Sequence, residues 1–104
     1  MKYVLLMTHT ADQCPTSNSR VRKLFENAGK EMAQLCQKLG VKVLIGPLIS
    51  AEHKSTIILE AERAETVWDF IMQSGLIQWN SINVLPSKTA EEAMPEIIKQ
   101  KPIY

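Results

Sequence analysis

The stretch Lys2-Tyr3-Val4-Leu5-Leu6-Met7-Thr8 is apolar on both parities, with Tyr3, Leu5 and Met7 on one and Val4 and Leu6 on the other. A strand with one wet face alternates apolar with polar residues. One that does not alternate is expected to lie in a sheet covered on both faces. No small-residue cleavage site follows this run, so it reads as a first strand and not as a secretory leader, and the expected address is cytoplasmic.

The rest of the chain supplies what such a strand needs. His9 to Thr16 is a polar loop. Ser17 to Leu39 is expected to be a helix, because Val21, Leu24, Phe25, Ala28, Met32, Leu35, Cys36 and Leu39 recur at three- and four-residue steps. Ser17 or Asn18 caps it, and Gly40 ends it. Val41 to Ile49 is a second strand with a bend at Gly46-Pro47; a proline without a donor puts it at a sheet edge or in a bulge. A turn over Ser50 to Lys54 leads to a third strand, Ser55 to Glu62. Arg63 to Ser74 is a second helix with Ala64, Val67, Trp68, Ile71 and Met72 facing inward. A short irregular turn, Leu76 to Asn80, precedes a fourth strand, Ser81 to Leu85, stopped by Pro86. The tail from Ser87 to Tyr104 holds one or two helical turns, opened by the capping box Thr89-Ala90-Glu91-Glu92 and broken or restarted at Pro95.

The order β-α-β-β-α-β predicts an α+β fold of ferredoxin-like type. Its four-stranded antiparallel sheet runs in spatial order 4-1-3-2, with both helices on one face and a helical tail. The 104 residues make one domain with one core. The second face of the sheet has no helix of its own. Leu5 or Leu6, Leu44, Ile58 and Leu85 would lie bare there, and a bare apolar sheet face is unusual for a monomer. A homodimer or higher homo-oligomer, packed sheet against sheet, is therefore expected, with the apolar tail residues Ile97, Ile98, Ile103 and Tyr104 wrapping onto the partner. Lys and Arg number 12 against 11 Asp and Glu; that balance argues against a dedicated nucleic-acid binder. No apolar run reaches the ~18 residues of a membrane-spanning helix.

The element order, the two-sided first strand and the turn at Trp79 before the fourth strand resemble the dimeric α/β-barrel superfamily, over about residues 1 to 86. That group includes small monooxygenase-like, muconolactone-isomerase-like, stress-responsive and metal-binding proteins. The resemblance implies fold and dimerisation far better than activity.

Topology then gathers the rare residues. His9 closes the first strand and His53 sits in the turn before the third; these are the only two histidines. Both map to the same end of the sheet, as does Cys14 in the loop after His9. Imidazole and thiolate at one rim suit Cu, Ni or Zn better than Mg or Ca. Met7 could add a weak thioether, and Asp12 and Glu52 could ligate or orient the ligands. Cys14 precedes a helix N-terminus, which favours negative sulfur and a nucleophilic role with His9 or His53 as base. Cys14-Pro15 is also the pattern of an axial thiolate for haem, and haem enzymes occur in the resembled superfamily. The plainer reading leaves all three as ordinary loop residues. Trp79 is expected to wall a pocket or join the core, Trp68 to be core, and Cys36 to be a buried, inert thiol. Arg20, Arg22 and Lys23 form a solvated helix face. Three function classes remain: a homodimeric metal-binding protein using His9, Cys14 and His53; a cofactor-free or haem-dependent barrel enzyme acting on a small apolar substrate beneath Trp79, with His9 as acid or base; and a dimeric module without a site.

Overall fold

The computed structural model describes residues 1–104. Four strands, β1 (Lys2–Thr8), β2 (Lys42–Ser50), β3 (Lys54–Glu60) and β4 (Ser81–Ser87), and three helices, α1 (Ser19–Leu39), α2 (Ala64–Gln73) and α3 (Ala90–Ile97), follow in the order β1-α1-β2-β3-α2-β4-α3. Single 3-10 turns lie at Ala11–Gln13 and Leu76–Gln78. The strands form one antiparallel sheet in the order β2-β3-β1-β4, so β1 is internal, as the element order predicts. This is the expected 4-1-3-2 order read from the opposite edge.

Register decides which parity of β1 meets the helices. Leu5 lies opposite Ile57 on β3 and Val84 on β4. Tyr3, Leu5, Met7, Ile57 and Leu59 are buried on that face with Val21 from α1 and Val67, Phe70 and Ile71 from α2. The other parity faces away: Val4 pairs with Ile58 and Leu85, and Leu6 is 42% exposed while Leu5 is fully buried. Only 14 of the 104 residues are buried, so the core is one thin layer between sheet and helices.

Several details depart from the sequence reading. Trp68 is 65% exposed rather than core, and Ala64 and Met72 are exposed with it. The inward row of α2 is Val67, Phe70 and Ile71, at steps of three and four, and Trp68 and Met72 fall on its flank. Cys36 is only half-buried, although desolvation still pushes its thiol up. Pro86 does not stop β4, which continues to Ser87. As an edge strand, β4 can present the donor-free side of proline to solvent. Nor does Pro95 break α3, which runs through it. The capping box at α3 is complete: Thr89 Oγ1 accepts from the Glu92 amide at 3.1 Å, and Glu92 Oε1 accepts from the Thr89 amide at 3.0 Å. The Thr89 amide and the Lys2 ammonium together hold the Glu92 carboxyl down at about 2, which ties α3 to the start of β1. No helix is long and apolar enough to cross a membrane.

The bend in β2 has a steric cause. Gly46 sits at φ 106°, and a Cβ there would lie 2.7 Å from the Thr56 carbonyl oxygen. The register against β3 shifts on both sides of Ile45 to make room. Only glycine satisfies both conditions. Gly46→Ala is expected to lower stability by about 2 kcal/mol, as strained backbone sites do; denaturant unfolding with an unchanged slope would show it, and a loss below a few tenths would contradict it.

Candidate metal centre

The rim at the end of β1 is held by backbone before any side chain acts. The His9 amide donates to the His53 carbonyl at 3.1 Å, joining the end of β1 to the β2–β3 turn. That turn is three residues long and His53 occupies its last position at φ 63°. Three-residue hairpin loops place a left-handed residue there, a position glycine holds at lower cost. A histidine that accepts the strain is an outlier of the kind that clusters at functional sites. The two imidazoles consequently stand edge to face, with ring centroids 5.3 Å apart.

His9 is oriented from behind. Asn80 is 8% exposed, and its side-chain nitrogen donates to the Leu76 carbonyl at 3.1 Å. A carbonyl only accepts, so that atom is the amide NH2 and Oδ1 is the one that faces His9 Nδ1, at 3.4 Å. A hydrogen bond to that oxygen needs the proton on Nδ1, and in the neutral ring this leaves the lone pair on Nε2. Nε2 is buried and has no hydrogen-bond partner. An unpaired buried acceptor is costly, and supporting the proton-bearing nitrogen while exposing the other to a ligand is how metal-binding histidines are oriented. Trp79 packs on the same ring at 5.2 Å, and Phe25 meets Trp79 edge-on at 5.9 Å.

Cys14 is placed by a tied loop. Its carbonyl accepts from the amides of Ser17 at 3.0 Å and Asn18 at 2.8 Å. Asn18 caps α1 through Oδ1 to the Val21 amide at 3.0 Å and donates from Nδ2 to the Asp12 carbonyl at 2.9 Å. Arg22 reaches back to the carbonyls of Pro15 at 2.8 Å and Thr16 at 2.7 Å, and Arg20 to Gln13 Oε1 at 3.3 Å. These two arginines are therefore braces of the cysteine loop, not the free solvated face expected from their charge. The Thr16 hydroxyl lies 2.8 Å from Cys14 Sγ, placed to donate to a thiolate.

One ligand atom each from His9, Cys14 and His53 lies within 4.8 Å of the other two. Bonds of ~2.0–2.3 Å at tetrahedral angles bring donors to ~3.5 Å of each other, so binding would draw these side chains together by about 1 Å. The structure thus brings together all three residues singled out from sequence. Two suggested helpers stay outside: Asp12 and Glu52 are exposed and do not join the group. The Asp12 carboxyl is instead held below its usual range by the Thr10 hydroxyl and its own backbone amide. Met7 is buried and lines the same cavity. Trp79 combines its two expected roles, being both buried and part of the cavity wall. Sequence reading gave Asn80 no role; the only hint was a polar residue between a buried tryptophan and a strand.

The cavity opens between α1 and the sheet, with a volume of about 640 Å³. Phe25 and Met32 of α1 form one wall, Ile57 and Met7 of the sheet another, and the three donors lie along it. No protein-family model matches this chain, and no curated protein is similar enough to count as a relative.

The tautomer lock is directly observable. In the metal-free protein, nitrogen-detected NMR should find the neutral His9 ring in the tautomer with its proton on Nδ1. Asn80→Leu should let the ring mix both tautomers, and an unchanged His9 spectrum in that variant would show that Asn80 does not set it.

Proposed function

We propose that this chain is a small transition-metal-binding protein that holds one ion between His9 Nε2, Cys14 Sγ and the His53 imidazole. The observation that carries this reading is the group His9, Cys14 and His53, which offers one ligand atom each within 4.8 Å of the others and in which His9 Nε2 is buried and unpartnered. Two imidazoles and a thiolate select Cu, Ni or Zn over Mg and Ca. Two His and one Cys are the trigonal set of copper sites, so copper is the first choice, with Met7 in the cavity wall and outside the ligand set. Haem fits less well. An axial Cys14 needs a clear plane for the macrocycle, and the two imidazoles stand within 4.8 Å of the sulfur. A second reading has one support: a bare Nε2 facing an apolar cavity is also what a general base on an apolar substrate requires. Both cysteines are free thiols, which suits a reducing, cytoplasmic setting.

The assembly we propose is a sheet-to-sheet homodimer of the ferredoxin-like, dimeric α/β-barrel kind. Support comes from the strand order and from the outer face, where Leu6, Ile45, Leu48 and Leu85 are exposed. The tail adds to it. The radius of gyration is 16.0 Å, against ~13 Å for a compact chain of this length. Met94, Ile97, Ile98, Ile103 and Tyr104 project from the body uncovered.

Elemental analysis of the untagged protein should find about one transition-metal ion per chain. Cys14→Ser and His53→Ala should each weaken binding by ~100-fold or more, beyond the loss typical of a supporting residue. With copper(II), a visible thiolate charge-transfer band should appear and vanish in Cys14→Ser. Occupancy should fall with pH as protons compete for the three donors. A protein that takes up no metal under reducing reconstitution, or binds it equally well in both variants, defeats the reading. For the assembly, light scattering should report twice the chain mass, and Leu6→Lys should halve it; a wild-type monomer would end that proposal.

A further inference from the structure

The cavity beside the three donors is larger than an ion needs and chemically different from what an ion asks for. We propose that it is a binding chamber for a small, neutral, aromatic molecule that presents a single donor atom to the His9–Cys14–His53 end; only the donor contact rests on the metal reading. Its volume of about 640 Å³ falls within the ~300–1,000 Å³ of small-molecule sites. Eighteen residues line it and none is Asp, Glu, Lys or Arg, so nothing there would compensate a charged ligand. Its walls are aromatic and sulfur-bearing: Phe25 and Trp79 at 80° to each other, with Met7 and Met32 beside them. Ring edges and thioethers are favourable neighbours for another aromatic ring.

Helix α1 is notched on this side. Gly29 lines the chamber in mid-helix, where glycine costs ~1 kcal/mol relative to alanine. Gly29 is exposed at the mouth of the chamber, and a Cβ there would meet no atom within 4 Å, so the protein's own packing does not call for glycine. Ala28, the other small residue of the helix here, lines the same space. The helix gives up propensity and contact where the chamber lies. At the rim, His9, Cys14 and His53 are themselves part of the lining, so an ion held by them is reached through the chamber. Three protein ligands leave one tetrahedral position for an exchangeable group, the pattern of a working rather than a structural site.

The test uses Trp68→Phe as background, since Trp68 is exposed and its loss leaves Trp79 as the only tryptophan. The probes are 4-phenylimidazole, an aromatic body with one donor, and imidazole, the donor alone. In metal-free protein, 4-phenylimidazole should change Trp79 emission saturably, and Gly29→Phe should weaken it at least about tenfold while leaving cobalt(II) uptake intact. In cobalt(II)-loaded protein it should shift the d–d bands, bind at least about tenfold tighter than without metal, and outbind imidazole by a similar factor. Equal affinity for the two probes, or binding indifferent to Gly29→Phe, overturns the chamber. A protein that takes cobalt but binds neither probe keeps the metal reading and overturns this one. A protein that takes no cobalt yet binds 4-phenylimidazole in a Gly29-sensitive way defeats the metal reading and supports the chamber.

Discussion

Everything in this fold hangs on the inward face of β1. Tyr3, Leu5 and Met7 are buried, and each is flanked by a β3 and a β4 residue in register. The helices dock on that row through Val21, Val67 and Phe70, so a slip of one residue would turn the whole row to the outer face. Because β1 is central, its end is also a fixed point. His9 follows the last paired residue, and its amide still bonds across to the His53 carbonyl. The strand that organises the core therefore delivers the first donor to the rim.

The other two residues of the group lie on loops, and backbone geometry and polar bonds position them. Cys14 is held by amides of the α1 entry and by the arginines that clamp Pro15 and Thr16. His53 is held by a hairpin position that strains its backbone. His9 is turned by Asn80, whose own orientation is set one step further back by the Leu76 carbonyl. This is a chain of constraints in which each group has one way to satisfy its hydrogen bonds. Its end point is the buried His9 Nε2, which has no hydrogen-bond partner.

The thinness of the core and the breadth of the cavity are two sides of one allocation. Space between α1 and the sheet that side chains could have filled is open, and α1 carries Ala28 and Gly29 where larger residues would close it. Buried apolar area is the main stabilising term in a domain of this size. Leaving such a volume unfilled forgoes some of it, and an outer sheet face as apolar as this one offers a place to recover it by association.

What the sequence determined by itself was whatever depends on local pattern and chain order. The element order implied an internal β1, the 3.6-residue stripe implied α1, Gly46-Pro47 implied an interrupted edge strand, and Thr89 to Glu92 implied the capped start of α3. Strand order then followed from topology, and with it the convergence of His9, Cys14 and His53. Tertiary structure decided what depends on rotation and distance. The inward row of α2 turned on a rotation of one residue, so Phe70 rather than Trp68 entered the core. Arg20 and Arg22 look like solvent charge until the loop folds back to them. Asn80 reaches His9 across 71 positions of chain, and no spacing rule links them. The cavity belongs to no segment at all; it is the gap left where a notched helix crosses a sheet. Periodicity encodes which face of an element is apolar, but only the assembled backbone sets which polar atoms meet and what is left empty.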